Sequence, residues 1–345
     1  MDVYSMEGKS NFDRIIAKSL KQRDEASLEL QAMSKKRSED FKQYELEKTP
    51  EDLEIIEKIE KRVDRVVKEY GGDPNPISLE NMHVLKPGAI SAVTDGRYAF
   101  GLYRPMSSEI AVEKWKSKLL FATVLGHELF HMKSYKSARL TEGSKTIQLY
   151  RSGLSMNAKK NPDENAEQEI EYFGMLEEAI VAECSIKLGD EISHDRIFSE
   201  EAKALERLRN WVIQYQQRRG LSNETIDKFK SEFRYLGDPQ EEVNKVLAYS
   251  QNEEDRQSYA AGLFDGLRAK GEVKLAERYI EREKLHKLLN ILVVNSNHRF
   301  SNRDEVFTLF AQANFSGNYL TLARTVESIL GKGSFRKIAE EYSFK

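Results

Sequence analysis

The run Leu119-Leu120-Phe121-Ala122-Thr123-Val124-Leu125-Gly126-His127-Glu128-Leu129-Phe130-His131 is largely apolar, contains no proline and ends in two histidines four positions apart. It reads as a buried helix, and on a helix residues four apart sit about 40° from one another on the same face. His127 and His131 can therefore share a tetrahedral metal ion. Glu128 lies one step round from His127, where its carboxylate reaches a metal-bound water rather than the metal, the position of a general base. Two ordinary histidines on a half-buried helix are the bland alternative. The apolar run leading into His127 favours the metal, because a metal-binding helix in a core looks like this one.

A catalytic zinc site takes three protein ligands and leaves a fourth position for water. The segment from Tyr172 to Glu183 is the best source of the third, since Glu177, Glu178 and Glu183 interrupt an apolar helical pattern there. Buried carboxylates are costly unless paired or bound to a cation. By position alone Glu177 and Glu178 are both open as ligands, with an exposed helix carboxylate as the other reading of Glu177.

His127-Glu128-x-x-His131 followed by Glu178-Ala179-Ile180 resembles the gluzincin branch of zinc metallopeptidases over about residues 80–190. The resemblance implies a zincin-like core, zinc as the cofactor, His127, His131 and Glu178 as its ligands, Glu128 as the base, and a peptide or protein substrate. It also implies a sheet with an edge strand against which an extended peptide lies, and Glu109–Val112 is the stretch expected to form that edge. Two features depart from the thermolysin type. The spacer between His131 and Glu178 is long enough for an inserted hairpin. Ala182 stands four positions after Glu178, where an acidic residue is usual, with Glu183 one step later.

At 345 residues the chain can bury a substantial core. Its net charge of -3 implies neither a nucleic-acid partner nor an anionic membrane surface. Short basic runs such as Lys35-Lys36-Arg37 read as solvated helix faces. One cysteine, Cys184, cannot close an intrachain disulfide and fits a reducing compartment. Residues 1–20 lack a secretory apolar stretch and no run is long enough to span a bilayer, so a cytoplasmic protein is expected.

The expected fold is α+β and mostly helical, in three regions: a helical arm over 1–72, the zincin-like core over 73–190 and a helical region over 191–345. Residues 11–48 read as one long amphipathic helix, and Thr49-Pro50-Glu51-Asp52 as the capped start of a second that stops near Gly71-Gly72. Short strands are expected at 83–85, 90–94, 98–103 and 110–112, with a hairpin turn at Asp95-Gly96. A strand pair is expected over 146–156 and a polar, mobile loop over 157–168. Tyr150 and Arg151 are weighed as oxyanion donors against an ordinary place on a strand. Helices are expected at 200–219, 224–235, 241–250, 257–293 with a break at Gly262 or Gly271, 304–313 and 319–330, Ser301 capping one of them. His83, His194, His286 and His298 read as isolated structural residues. The competing function is a zincin-like scaffold without peptidase activity that binds a protein partner through its helices.

Overall fold

The computed structural model describes residues 13–17, 19–35, 39–94, 99–140, 147–159, 169–220, 234–235, 238–269, 273–274 and 279–344. Helices predominate and the sheets are small and mixed, in keeping with an α+β chain. No helix among the described residues is long and apolar enough to cross a membrane.

The single helix expected over 11–48 is broken. Arg14–Ile16 forms strand β1, Leu20–Lys35 helix α1 and Glu39–Lys42 the short helix α2. β1 pairs in parallel with Lys136–Leu140, far along the chain, and buries Ile15. Ile15 and Ile16 fit a strand as well as a helix face, so a distant partner decided between them. Helix α3, Pro50–Glu69, follows expectation. Thr49 and Asp52 form a reciprocal capping box, and Ile55, Ile56, Ile59, Val63 and Val67 make its buried stripe. It ends at Tyr70 and Gly71, where φ is +77°.

Strands β2 (Met82–Leu85), β3 (Gly101–Arg104) and β4 (Glu109–Glu113) form a sheet in the order β2-β4-β3. Glu109–Val112 is therefore a central strand, not the edge. The outer side of β2 is occupied too: Leu46 N donates to Val84 O at 2.7 Å and Lys86 N to Tyr44 O at 3.0 Å. That leaves β3 as the edge among the described residues. The strand expected at 90–94 is instead helix α4, Ala89–Val93, entered through Gly88 at φ +84°. Glu113 accepts the Ile90 N–H there at 2.9 Å, a helix-start contact that hydropathy does not display. The Asp95-Gly96 turn lies outside the described residues.

Helix α5, Lys118–Lys133, carries the two histidines and is capped by Ser117. It packs between α3 and helix α6, Gly174–Ile192. Lys133, its side chain fully buried, ties α5 to α3 through Asp64 at 2.6 Å and Glu60 at 3.1 Å. The long spacer between α5 and α6 is filled by strands β5 (Lys136–Leu140), β6 (Ile147–Ser152), β7 (Ser155–Lys159) and β8 (Glu169–Tyr172). With β1 they make a sheet in the order β1-β5-β6-β7-β8. Residues 157–159, expected in the polar loop, belong to β7; residues 160–168 of that loop lie outside the described set.

Beyond α6 come α7 (Ser199–Arg218), the short strand β9 (Arg234–Tyr235), α8 (Pro239–Tyr249) and α9 (Glu253–Ala269). Strand β10 (Val273–Lys274) pairs with β9 and is followed by α10 (Tyr279–Asn295), α11 (Arg303–Ser316), α12 (Tyr319–Leu330) and α13 (Ser334–Glu341). Gly262 sits inside α9 without breaking it, and most of the helix expected over 224–235 lies outside the described residues. The cap of α11 is Asn302 rather than Ser301, whose N–H instead meets Glu305 at 2.8 Å. Helices α7, α8 and α9 share a small core around Leu208, Trp211 and Val246. The main core crosses the expected regional boundaries, joining Ile59 of α3, Leu129 of α5, Ile180 of α6 and Phe310 of α11.

Candidate metal centre

Helices α5 and α6 bring His127, His131 and Glu178 together, so that one donor atom from each lies within 4.8 Å of the others. His127 Nε2 and His131 Nε2 are 3.0 Å apart. Glu178 Oε2 is 3.7 Å from the first and 3.5 Å from the second. Donors about 2.0–2.2 Å from a tetrahedral ion stand roughly 3.3–3.5 Å from one another, and the three separations bracket that range. The helices approach closely at Gly126, where a Cβ would fall 2.3 Å from Leu188 Cδ2.

The far side of each imidazole is held. His131 Nδ1 lies 3.0 Å from Glu177 Oε1, and His127 Nδ1 lies 3.3 Å from Ser185 Oγ. Ser185 gives its own proton to Val181 O at 2.7 Å, so its oxygen accepts from the His127 Nδ1–H. With each Nδ1 engaged from behind, both Nε2 atoms face inward. Two imidazole nitrogens and a carboxylate oxygen converging in this way need a positive charge among them, from a proton or a metal ion. Burial alone would lower the pKa of His131, but Glu177 and Glu178 outweigh it and hold that pKa well above the ordinary value. The cluster attracts positive charge, and its donor set fits zinc.

Glu177 is not an exposed helix carboxylate, and its oxygen lies against His131 Nδ1 rather than among the three converging donors. It is buried, at 5 % exposure, and it orients His131. Together with Ser185 it supplies the fixing contacts for which sequence offered only the gap at Ala182. Ser185 lies seven residues after Glu178 on the same helical stripe, a spacing that could have singled it out. Glu183 points elsewhere and pairs with Arg282 at 3.0 Å and His286 at 3.2 Å, both on α10.

Glu128 is buried on the face of α5 turned toward the edge strand. A Cβ on Gly101 would fall 2.5 Å from Glu128 Oε1, so glycine at the start of β3 lets the strand backbone lie directly against this carboxylate. The candidate base therefore sits between the histidine helix and the sheet edge.

Asn314 on α11, fully buried, clamps the far end of α5. Its Oδ1 accepts from Leu154 N at 2.9 Å, and its Nδ2 donates to Ser134 Oγ at 2.9 Å. Nothing in the local sequence marks it. Arg151 is not an oxyanion donor: its guanidinium is spent on the carbonyls of Gly153, Ala313 and Gly317, at 2.7, 3.0 and 2.8 Å. It caps the C-terminal end of α11. Tyr150 is half-buried beside it on β6. His83 is not isolated either, since Glu45 lies 3.1 Å from its Nδ1 and Glu109 3.3 Å from its Nε2.

Compared with protein-family models, with curated proteins and with solved structures, the chain matches none.

Proposed function

We propose that the chain is a zinc-dependent metallopeptidase with a zincin-like core of the gluzincin kind, in which His127, His131 and Glu178 hold the metal. The observation that carries this reading is the convergence of two inward-turned Nε2 atoms and one carboxylate oxygen from two separate helices. Zinc in such a site supplies a Lewis acid with a free coordination position, which acidifies water and polarises a carbonyl.

The protein's own groups do the remaining work. Glu128 accepts the proton of the attacking water and returns it to the departing amine. Glu177 and Ser185 keep the imidazoles in the tautomer that presents Nε2. An extended peptide adds to the edge of β3, with its backbone held by the strand and its scissile bond brought over Glu128 by the close approach at Gly101. In this reading the docking edge is β3 rather than β4, supported by the strand order.

A cytoplasmic setting accompanies the reading, supported by the single buried thiol of Cys184. The case for a non-catalytic scaffold rested partly on Ala182, and Glu177 provides the carboxylate missing there. The test is metal analysis of the purified protein followed by cleavage of unfolded protein with and without chelator. One zinc per chain and chelator-sensitive cleavage are expected; a metal-free, normally folded protein would remove the proposal.

A further inference from the structure

Helices α5 and α6 stay packed together past the three donors. Leu119, Thr123 and His127 follow one another at four-residue steps on α5, while Glu178, Ser185 and Gly189 lie along one stripe of α6. Away from Glu178 the two helices and α7 line a cavity of about 610 Å³. Ser185 belongs to both places, since it touches His127 Nδ1 and also lines the cavity. The volume is that of a small-ligand site.

The cavity walls are apolar at Leu120, Ala202 and Leu205, and most of the hydroxyls around them are committed. Ser117 bonds Glu201, Thr123 bonds Leu119 O at 2.9 Å, and Ser185 bonds Val181 O at 2.7 Å. Arg209 is different. Among the described residues its guanidinium has no hydrogen-bond or ion-pair partner, and its Nε is shut off from water without an acceptor. A buried donor left unmatched is costly to the fold and favours a ligand that supplies an acceptor. A carboxylate is the group that best fills a guanidinium, through two parallel charge-assisted bonds. Asp190 and Glu206 also line the cavity, but both are exposed, where water and salt screen them more than the half-buried Arg209.

We propose that this cavity is the specificity pocket of the metal site and receives a carboxylate-bearing part of the peptide, held by Arg209. The proposal rests on the peptidase reading. The carboxylate comes either from an acidic side chain or from a free peptide C-terminus.

The test separates binding from cleavage. The Glu128→Gln protein, in the presence of zinc, is titrated with three short fluorescent peptides. One has an internal glutamate and an amidated end, the second has glutamine in its place, and the third is the glutamine peptide with a free C-terminus. One carboxylate peptide should bind about ten- to a hundredfold tighter than the amidated glutamine peptide, the worth of a hydrogen bond to a charged group. Which of the two gains identifies the source. Adding Arg209→Gln should erase the difference, and Arg209→Lys should keep part of it. Should Arg209→Gln fail a thermal-melt check of folding, Ala202→Trp, two turns earlier on α7, fills the cavity and should erase the difference as well. Equal binding of the three peptides, or a preference that survives both Arg209→Gln and Ala202→Trp, overturns the pocket. The protein used does not cleave, so absence of hydrolysis by the unaltered chain would count against the peptidase alone.

Discussion

Two places in this molecule bring histidines together with glutamates, and they are built to opposite ends. Around His83, each ring nitrogen faces its own carboxylate, Glu45 at 3.1 Å and Glu109 at 3.3 Å, on opposite sides of the ring. The electron pairs diverge and the contacts tie Glu45 to β2 and β2 to β4. Around His127 and His131, the Nδ1 atoms are taken by Ser185 and Glu177, and the two Nε2 atoms converge on Glu178. Residue composition is nearly the same in the two clusters. The direction of the free donor atoms makes one a structural tie and the other a candidate metal site.

Removing one histidine from each cluster is the sharpest way to break this contrast. His131→Ala should take the zinc content of the purified protein from one per chain to near zero and remove hydrolysis with it. His83→Ala should leave zinc unchanged and instead cost about 3 kcal/mol of stability in a denaturant titration, because it leaves Glu109 buried without its histidine. Loss of zinc in both variants would dissolve the distinction.

Within the metal cluster, Glu128→Gln should lower kcat by about 10²–10⁴-fold while zinc stoichiometry stays at one. Undiminished turnover would show that another group takes the proton. Glu177→Gln should weaken zinc by about ten- to a hundredfold in a competition titration, the scale expected for a contact that orients a ligand histidine. If it abolished zinc binding altogether, Glu177 would be a ligand in its own right.

The smallest effect concerns Glu183, the carboxylate of α6 that turns away from the metal. Burial alone would raise its pKa, but the bonds to His286 and Arg282 bring it from 4.5 down to about 2. A carboxylate whose pKa is lower in the folded state stabilises that state above its ordinary value. Its contribution is lost as the pH falls from 4.5 toward about 2. Glu183→Gln should therefore flatten the decline of stability across that acid window, as followed by thermal melts at stepped pH. An unchanged slope would mean that the pairing with α10 carries no net linkage.

Much of this architecture could be read along the chain where one helix or one cap carries the information. The start of α3 is written in Thr49, Pro50 and Asp52, and its buried face in Ile55, Ile59 and Val63. The apolar run ending in His131 announced α5 equally well. Reading failed where the deciding partner was remote. Ile15 and Ile16 form a strand because β5 lies alongside, and Ile90 starts a helix because Glu113 caps it. Arg151 spends its charge on carbonyls from an element more than a hundred and fifty residues away. The position of Glu109–Val112 in the middle of its sheet depends on the order in which three short strands assemble, which alternation alone does not encode.

Sequence by itself determined the helix that carries His127, Glu128 and His131, because four-residue spacing fixes a shared face whatever surrounds it. It also narrowed the third donor to adjacent glutamates. Only the tertiary structure shows where each of them points. One residue of helix turns a side chain by about 100°, so when α6 packs on α5, Glu178 faces the Nε2 atoms and Glu177 reaches round to Nδ1. Among the described residues, the edge at β3, the clamp of Asn314 and the lack of a partner for Arg209 likewise follow from packing, since each depends on contacts between segments distant along the chain.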